Sequence, residues 1–390
     1  MTADVIDMHF HVGLLGDRFP EWGSLSSWYR RQLQFKAFLI YTRVDEDELC
    51  DTKMMEKTLE TIESSTMDGV VCLALDPVYD EQGHRREDRS HMWVDNEYVL
   101  HLRRELPNRV LLGASVHPYD PNFEDRVRTY VDKGAVLLKW LPSAQGINLA
   151  DERTRDALVK LATIGPGGGP LPLLLHAGPE YAIPPWDIRV KPYDFLSWGR
   201  LDWFRNLFHR PRWLKPDTET LNANLKHALD QGTTIIFAHC GLFYFFPWGF
   251  LGRIFEHSDF KSVRDYLHAY PATSTSGGRC FADCSAFATP FRETQFGVVA
   301  KLPKESLLFG SDFPTPVFEL SADLEEAWRD FKAMLKGDFE RIIVPQDNLL
   351  DVNHRELSIA FPNHKMFTNF KRHVWPGGLP VSGTHDIPSG

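Results

Sequence analysis

The chain has 390 residues, of which 43% are hydrophobic and 25% are charged, with a formal net charge of −10 at pH 7. This hydrophobic content is that of a globular protein, and it excludes a disordered chain. Because the balance is acidic and no dense block of lysine and arginine occurs, nucleic acid is not an expected partner. The length suits either one large α/β barrel or two ordinary domains.

Cysteine usage and the lack of long apolar runs predict the compartment. Five scattered cysteines, an odd number in a chain of this size, indicate a reducing environment: Cys50, Cys72, Cys240, Cys280 and Cys284. The first residues do not show a charged segment followed by an apolar one, and no apolar run reaches 18 residues. We therefore expect a cytoplasmic protein.

Short apolar runs that end in polar or turn residues recur along the chain, with helical patterns between them. They predict eight strands, at 5–12, 69–75, 109–116, 135–141, 171–176, 233–239, 281–286 and 306–311. The segments between and after them predict helices, among them 52–64, 94–106, 123–132, 154–163, 221–231, 322–335 and 348–360. Eight alternating units predict a distorted (β/α)8 (TIM) barrel over residues 1–390, with a C-terminal extension at 365–390. An open doubly wound sheet is the alternative that shares this pattern.

The first predicted strand carries Asp7-Met8-His9-Phe10-His11. Alternate residues of a strand share a face, so His9 and His11 should point the same way and offer two nitrogen ligands to a metal. Asp7 shares that face one layer deeper. It could orient a ligand histidine, or it could be an ordinary carboxylate at the start of a strand.

Later strands end in single polar residues. His176 follows strand five, His239 follows strand six, and Asp312 follows strand eight in Gly310-Ser311-Asp312-Phe313-Pro314. A lone histidine after an apolar run is more often structural than a ligand. In a closed barrel, however, the carboxyl ends of all strands meet around one axis, which favours a shared metal site.

This ordered set of motifs resembles the amidohydrolase superfamily, and in particular its amidohydrolase-related (type 2) branch. The resemblance extends from strand one to strand eight and continues into the helix near 348–357. It implies a TIM barrel that holds a divalent metal, most often zinc. The implied ligands are His9, His11, His176 and Asp312, with His239 as a catalytic residue beside the metal or as a second ligand.

Lys139, near the end of strand four, has two readings. In some superfamily members a carboxylated lysine at this place bridges two metals, and His239 would then bind the second ion. In similar type 2 sequences with a following Gln-Gly, here Gln145-Gly146, the lysine stays an ammonium that can bind a substrate carboxylate. We favour one ion over two.

Two aromatic-rich segments, 179–216 and 242–255, are predicted insertions after strands five and six. They could form a lid, an interface between identical chains, or a contact with a lipid surface, and the first two are favoured over the last. An oligomer of identical chains is therefore expected. The aromatic residues suggest a small apolar or aromatic substrate. Lys139, Arg253 and Arg279 are candidate contacts for a carboxylate of that substrate.

The resemblance leads us to expect a metal-dependent hydrolase. A metal-bound water would attack an ester, lactone or amide carbonyl, Asp312 would accept a proton, and His239 would stabilise the developing charge. The alternative on the same residues is a non-oxidative decarboxylase of a small unsaturated or aromatic carboxylic acid. A barrel that binds a ligand or a membrane without catalysis is a third hypothesis, and a purified protein that binds no zinc, manganese or iron would exclude both enzymes in its favour.

Overall fold

The computed structural model describes residues 5–178, 180, 182–186, 196, 217–241 and 259–380. Most of the predicted insertion 179–216, and all of 242–255, lie outside the described residues. The lid and interface readings of these segments, and the substrate contact of Arg253, therefore stay predictions.

Eight parallel strands form one sheet in which each strand pairs with the next along the chain. We number them β1 (Ile6–His11), β2 (Gly69–Leu73), β3 (Val110–Ala114), β4 (Ala135–Trp140), β5 (Leu173–Leu175), β6 (Thr234–Phe237), β7 (Arg279–Asp283) and β8 (Leu307–Leu308). The residues after β8 return to β1, where Phe10 and Phe313 form a parallel bridge and the His11 amide donates to the Phe313 carbonyl at 2.8 Å. The sheet is thus a nearly closed barrel. The alternative of an open doubly wound sheet is wrong.

Helices alternate with the strands as the sequence predicts. They span Leu33–Thr42, Asp51–Ser64, Asn96–Glu105, Phe123–Asp132, Pro142–Gln145, Glu152–Lys160, Thr218–Asp230, Phe260–Ala269, Pro290–Glu293, Phe296–Val299, Leu324–Lys336, Leu349–Ala360 and Met366–Asn369. Several begin at an Asp or Asn whose side chain accepts a free N–H of the first turn, as at Asp95, Asp151, Asp217, Asp323 and Asn348. Among the described residues, none of these helices combines the length and apolar character needed to cross a membrane.

Small strands and a buried carboxylate shape the loops after β1 and β2. Gly23–Leu25 pairs antiparallel with Met92–Val94, and Val78–Tyr79 pairs with Arg85–Arg86. The Asp51 carboxylate accepts the backbone N–H groups of Leu15, Gly16, Arg18 and Phe19 at 2.6–3.1 Å. One buried side chain therefore fixes the chain just beyond His11.

The predicted C-terminal extension is part of the barrel over its described residues. Phe370 and Val374 are buried in the same apolar cluster as strand residues such as Met8, Leu137 and Phe281. Trp375 Nε1 donates to the Val136 carbonyl at 3.0 Å. The segment therefore packs at the amino ends of the strands, opposite the predicted site.

Candidate metal centre

The two histidines of β1 lie beside the aspartate that follows β8. His9 Nε2 and His11 Nε2 are 3.1 Å apart, and Asp312 Oδ1 is 3.3 Å from each of them. The His9 side chain is fully buried, while those of His11 and Asp312 are 18% and 13% exposed. The alternation along β1 and the return of the chain after β8 thus bring three predicted ligands together.

Close packing between β1 and the residues after β8 explains why Gly310, two positions before Asp312, is a glycine. A Cβ on Gly310 would lie 2.7 Å from the His9 Cβ, which real side chains do not tolerate. The Asp312 amide donates to the His9 carbonyl at 2.7 Å. Glycine therefore lets the two strands approach until Asp312 reaches the histidines.

Asp312 and His239 both have left-handed backbone conformations, with φ of +61° and +55°. Residues with a side chain seldom adopt this region, and such strain is often found at functional sites. Thr315 Oγ1 donates to Asp312 Oδ2 at 2.8 Å, and the same oxygen is 4.0 Å from His239 Nε2. One Asp312 oxygen thus faces His9 and His11, and the other faces Thr315 and His239.

His176, after β5, completes the group of imidazoles. Its ring lies edge-on to that of His239 with centroids 5.3 Å apart, and the His239 ring stacks on that of His9 at 5.2 Å. His176 Nδ1 is 3.4 Å from Glu180 Oε2. His176 Nε2 is buried and has no hydrogen-bond partner among the described residues.

His239 and His9 share a polar anchor at the end of β7. Asp283 Oδ2 is 2.9 Å from His9 Nδ1, and Asp283 Oδ1 accepts the His239 backbone N–H at 2.9 Å. Ser285 Oγ lies 2.9 Å from His239 Nδ1 and 3.0 Å from His9 Nδ1, and it also contacts Asp283 Oδ1. The Nδ1 side of both rings is therefore engaged by β7.

Lys139, on β4, reaches the same centre. Its side chain is 1% exposed, and Nζ lies 3.2 Å from His9 Nε2. The Ser115 hydroxyl donates to the Lys139 carbonyl at 2.9 Å. The sequence thus correctly places a lysine at the site, while the choice between an ammonium and a carboxylated lysine stays a prediction.

Asp7 lies below the histidines. Its Oδ1 accepts the backbone N–H groups of Ser311 at 2.9 Å and His9 at 3.1 Å. Burial raises the pKa of Asp7 to about 7, against the lowering effect of these hydrogen bonds. Asp7 therefore ties β1 to the residues before Asp312 through the backbone, and it does not contact a histidine ring.

Burial disfavours the charged form of each imidazole and so favours the neutral form. It lowers the pKa of His9, His11 and His176, and it lowers the pKa of His239 to about 4. Burial alone would raise the pKa of Asp312, but His239, His9 and His11 hold it well below its usual range. Neutral imidazoles around an ionised carboxylate are the protonation states that a divalent cation requires of its ligands.

We call His9, His11, His176 and Asp312 the ligand cluster, and three of its members, His9, His11 and Asp312, have the spacing of metal ligands. The described residues contain two groups of three side chains with ligand atoms within 4.8 Å of one another, namely His9, His11 and Asp312, and His9, His239 and Asp283. Ligands about 2.0–2.2 Å from a tetrahedral zinc ion lie about 3.3–3.6 Å from each other. The first group, at 3.1–3.3 Å, is close to that spacing.

The second group is occupied by hydrogen bonds instead. His9 Nδ1 and Asp283 Oδ2 are already in direct contact at 2.9 Å, and His239 Nδ1 faces Ser285. The first group, by contrast, presents nitrogen and oxygen acceptors to one another, with the unpartnered Nε2 of His176 as a further acceptor. A cation placed between these atoms would replace contacts between acceptors with metal–ligand bonds, which makes the first group a candidate cation site.

The sequence misplaces one residue and misses three. Arg279 begins β7, so it lies at the opposite end of that strand from Asp283, and its Nη1 donates to the His373 carbonyl at 2.5 Å. The structure does not bring it to the ligand cluster. Asp283 and Ser285 occupy a strand end, which is the signal that would have identified them, whereas Glu180 lies in a loop without such a signal.

Comparison with known proteins gives resemblances in fold. No family model and no curated protein matches the sequence. The chain is similar to an amidohydrolase 2 from Bifidobacterium longum subsp. infantis (13% identity, TM-score 0.44, covering 96% of this chain and 99% of that one).

Two further solved structures are similar to the chain. A probable 2-pyrone-4,6-dicarboxylic acid hydrolase from Acinetobacter baumannii has 15% identity and a TM-score of 0.40, covering 90% of this chain and 99% of that one. A 5-carboxyvanillate decarboxylase from Novosphingobium aromaticivorans, solved with manganese, has 10% identity and a TM-score of 0.43, covering 96% and 97%.

Proposed function

We propose that the protein is a metal-dependent hydrolase of the amidohydrolase type 2 kind. The ligand cluster would hold one divalent ion, and zinc is the metal that we favour. The observation that carries this proposal is the convergence of His9 Nε2, His11 Nε2 and Asp312 Oδ1 within 3.3 Å of one another. The buried and unpartnered Nε2 of His176 supports a fourth ligand. A divalent ion bound by such residues supplies Lewis acidity and lowers the pKa of water towards about 7.

The protein groups provide the proton transfers. Asp312 is ionised and holds one oxygen towards Thr315 and His239, so it can accept a proton from an attacking water. His239 is neutral and lies next to that oxygen, where it can receive the proton and pass it to the leaving group. Lys139 supplies a positive charge inside the site that can pair with developing negative charge on the substrate.

Lys139 also supports a second candidate function, decarboxylation. A buried ammonium beside the ligand cluster suits a substrate carboxylate, and His239, after taking up a proton from water at Nε2, could then deliver it to the carbon from which carbon dioxide departs. The contact of Nζ with His9 Nε2 is one in which an unmodified lysine donates, as the proposal of one ion requires.

The two reactions differ in whether an oxygen atom from water enters the product. We would incubate the zinc- or manganese-loaded protein in ¹⁸O-labelled water with a panel of aryl esters, lactones and amides and, separately, with hydroxybenzoic acids. Hydrolysis predicts one labelled oxygen in the product acid. Release of carbon dioxide and a product smaller by one carbon would favour the decarboxylase, and a purified protein that binds neither metal would contradict both.

A further inference from the structure

We propose that Asp283 and Ser285, at the end of β7, fix the ring protons of His9 and His239 on Nδ1, so that both rings present an unprotonated Nε2 to the ligand cluster. This assignment concerns which nitrogen carries the proton in the neutral rings. It therefore holds for either reaction named above.

The His9 proton follows from contacts on both sides of its ring. Asp283 Oδ1 accepts two backbone N–H groups, from His239 at 2.9 Å and from Ser285 at 3.1 Å, so the carboxylate acts as an acceptor. Its other oxygen is 2.9 Å from His9 Nδ1, which must then donate. On the far side of the ring, Lys139 Nζ is a donor 3.2 Å from Nε2, which must then accept.

The His239 proton follows from the hydroxyl of Ser285. A serine hydroxyl has one proton, and the close contact with Asp283 Oδ1 directs that proton to the carboxylate. Ser285 Oγ can then only accept from His239 Nδ1, at 2.9 Å, and the Ser285 carbonyl at 3.3 Å is a second acceptor for the same N–H. Asp283 thereby sets one histidine directly and the other through Ser285.

This arrangement limits the hydrogen bonds and proton transfers in which His239 can take part. With its proton on Nδ1, neutral His239 can accept a proton or bind a cation through Nε2. It cannot donate a hydrogen bond from Nε2 until it has been protonated. Asp283 and Ser285 are thus positioning residues, because they act on the site through the two imidazoles and do not face Asp312 themselves.

The direct test is a long-range ¹H–¹⁵N spectrum of the full-length protein labelled in its histidine rings, recorded before and after removal of metal with a chelator. The spectra of His9→Asn and His239→Asn variants assign the two rings by the signals that disappear. We expect both rings of the metal-free protein to be protonated at Nδ1. A proton at Nε2 of either ring would overturn the proposal.

Two variants separate the two positioning residues. In Ser285→Ala, His239 should acquire a population protonated at Nε2, because only the longer contact with the backbone carbonyl, at 3.3 Å, still accepts from Nδ1. His9 should keep its proton on Nδ1 because Asp283 remains. Ser285→Thr restores a hydroxyl and should restore the His239 spectrum. An unchanged His239 spectrum in Ser285→Ala would contradict the relay through Ser285.

Asp283→Asn places an amide against His9 Nδ1 and should weaken zinc binding about 10- to 100-fold, as measured by competition with a chromophoric chelator. Asp330→Asn is the matched control, because Asp330 is also a buried carboxylate that accepts a backbone N–H, from Ile343 at 3.0 Å, but lies outside the site. Equal losses of zinc affinity in the two variants would show a general structural effect and overturn the assignment of Asp283.

Discussion

Two buried polar clusters lie at the carboxyl end of the barrel, and they differ in how their acceptors are satisfied. In the paired cluster, formed by Asp76, His117, Asp120 and Arg126, every contact joins a donor to an acceptor. Arg126 Nη1 donates to Asp76 at 3.2 Å and to Asp120, and the His117 amide donates to Asp76 at 2.8 Å. In the ligand cluster, Nε2 atoms and a carboxylate oxygen face one another at 3.1–3.3 Å.

One histidine from each cluster shows the same difference in how its ring nitrogens are satisfied. His117 accepts the Tyr119 amide at Nδ1 and donates from Nε2 to the Gln145 carbonyl, each at 3.1 Å, so its ring is complete within the protein. His176 has only a carboxylate near Nδ1, and its buried Nε2 is unpartnered among the described residues. Acceptors that converge on one another therefore distinguish the ligand cluster, a candidate cation site, from a buried cluster whose charges are paired within the protein.

The largest effect should come from removing a ligand. Asp312→Ala and His176→Ala should each lower zinc affinity by more than about 100-fold, beyond the loss typical of a residue that only supports a ligand. Metal content after dialysis, measured by mass spectrometry, checks this. His239→Ala is the matched variant, since it should keep most of the metal and lose the activity. Full metal loss in that variant would make His239 a ligand.

Breaking the paired cluster should instead cost stability. Arg126→Met leaves the Asp76 and Asp120 side chains, which are 2% and 7% exposed, without their cation. We expect the free energy of unfolding to fall by about 3–5 kcal/mol, measured by urea denaturation, with unchanged metal content in the folded protein. Loss of metal without loss of stability would reverse the roles assigned to the two clusters.

The paired cluster should also contribute a pH dependence through His117. Burial lowers its pKa to about 3, whereas the unfolded chain binds the proton near the ordinary value of about 6.5. The contribution of His117 is therefore complete above about pH 6.5 and is lost as the pH falls, at up to about 1.4 kcal/mol per unit. Urea denaturation between pH 7 and pH 5 checks this against His117→Gln, with His84→Gln as an exposed control. Equal slopes in all three proteins would contradict the prediction.

The smallest effect that we expect is on the number of metal ions bound per chain when Lys139 is replaced in Lys139→Met. With a single ion in the ligand cluster, the metal count per chain should stay at one, although activity should fall because a charge is lost beside His9. A decrease from two ions to one would instead identify Lys139 as a carboxylated bridge. Ser115→Ala, which removes the hydroxyl contact with the Lys139 carbonyl, serves as the control for local packing.

The sequence predicts the barrel and most of its site because both follow from local patterns. All eight strands and the named helices are found, since apolar periodicity and helix capping are encoded within short windows. His9, His11, His176, His239, Lys139 and Asp312 come together because strand ends in a barrel share one axis. Strand boundaries are less exact, since β7 begins at Arg279 and the predicted strand begins at residue 281.

Arg279 lies at the amino end of this strand whether the strand begins at residue 279 or at residue 281, so it belongs to the end of the barrel opposite the ligand cluster, where it donates to the His373 carbonyl. Asp283 is missed because the predicted strand runs to residue 286 and places Asp283 in its interior, whereas β7 ends at Asp283. All five cysteines are free in the structure. Glu180 could not be predicted, because its approach to His176 depends on the path of a loop and on the amides of Ala182 and Ile183.

Anomalous diffraction from crystals of the protein grown with zinc or manganese would locate the metal directly. We expect one ion per chain, bound by Nε2 of His9, His11 and His176 and by Asp312, with Asp283 remaining on Nδ1 of His9. An ion bound between Asp283, His9 and His239, or a ligand cluster that stays without metal at saturating concentration, would contradict this expectation.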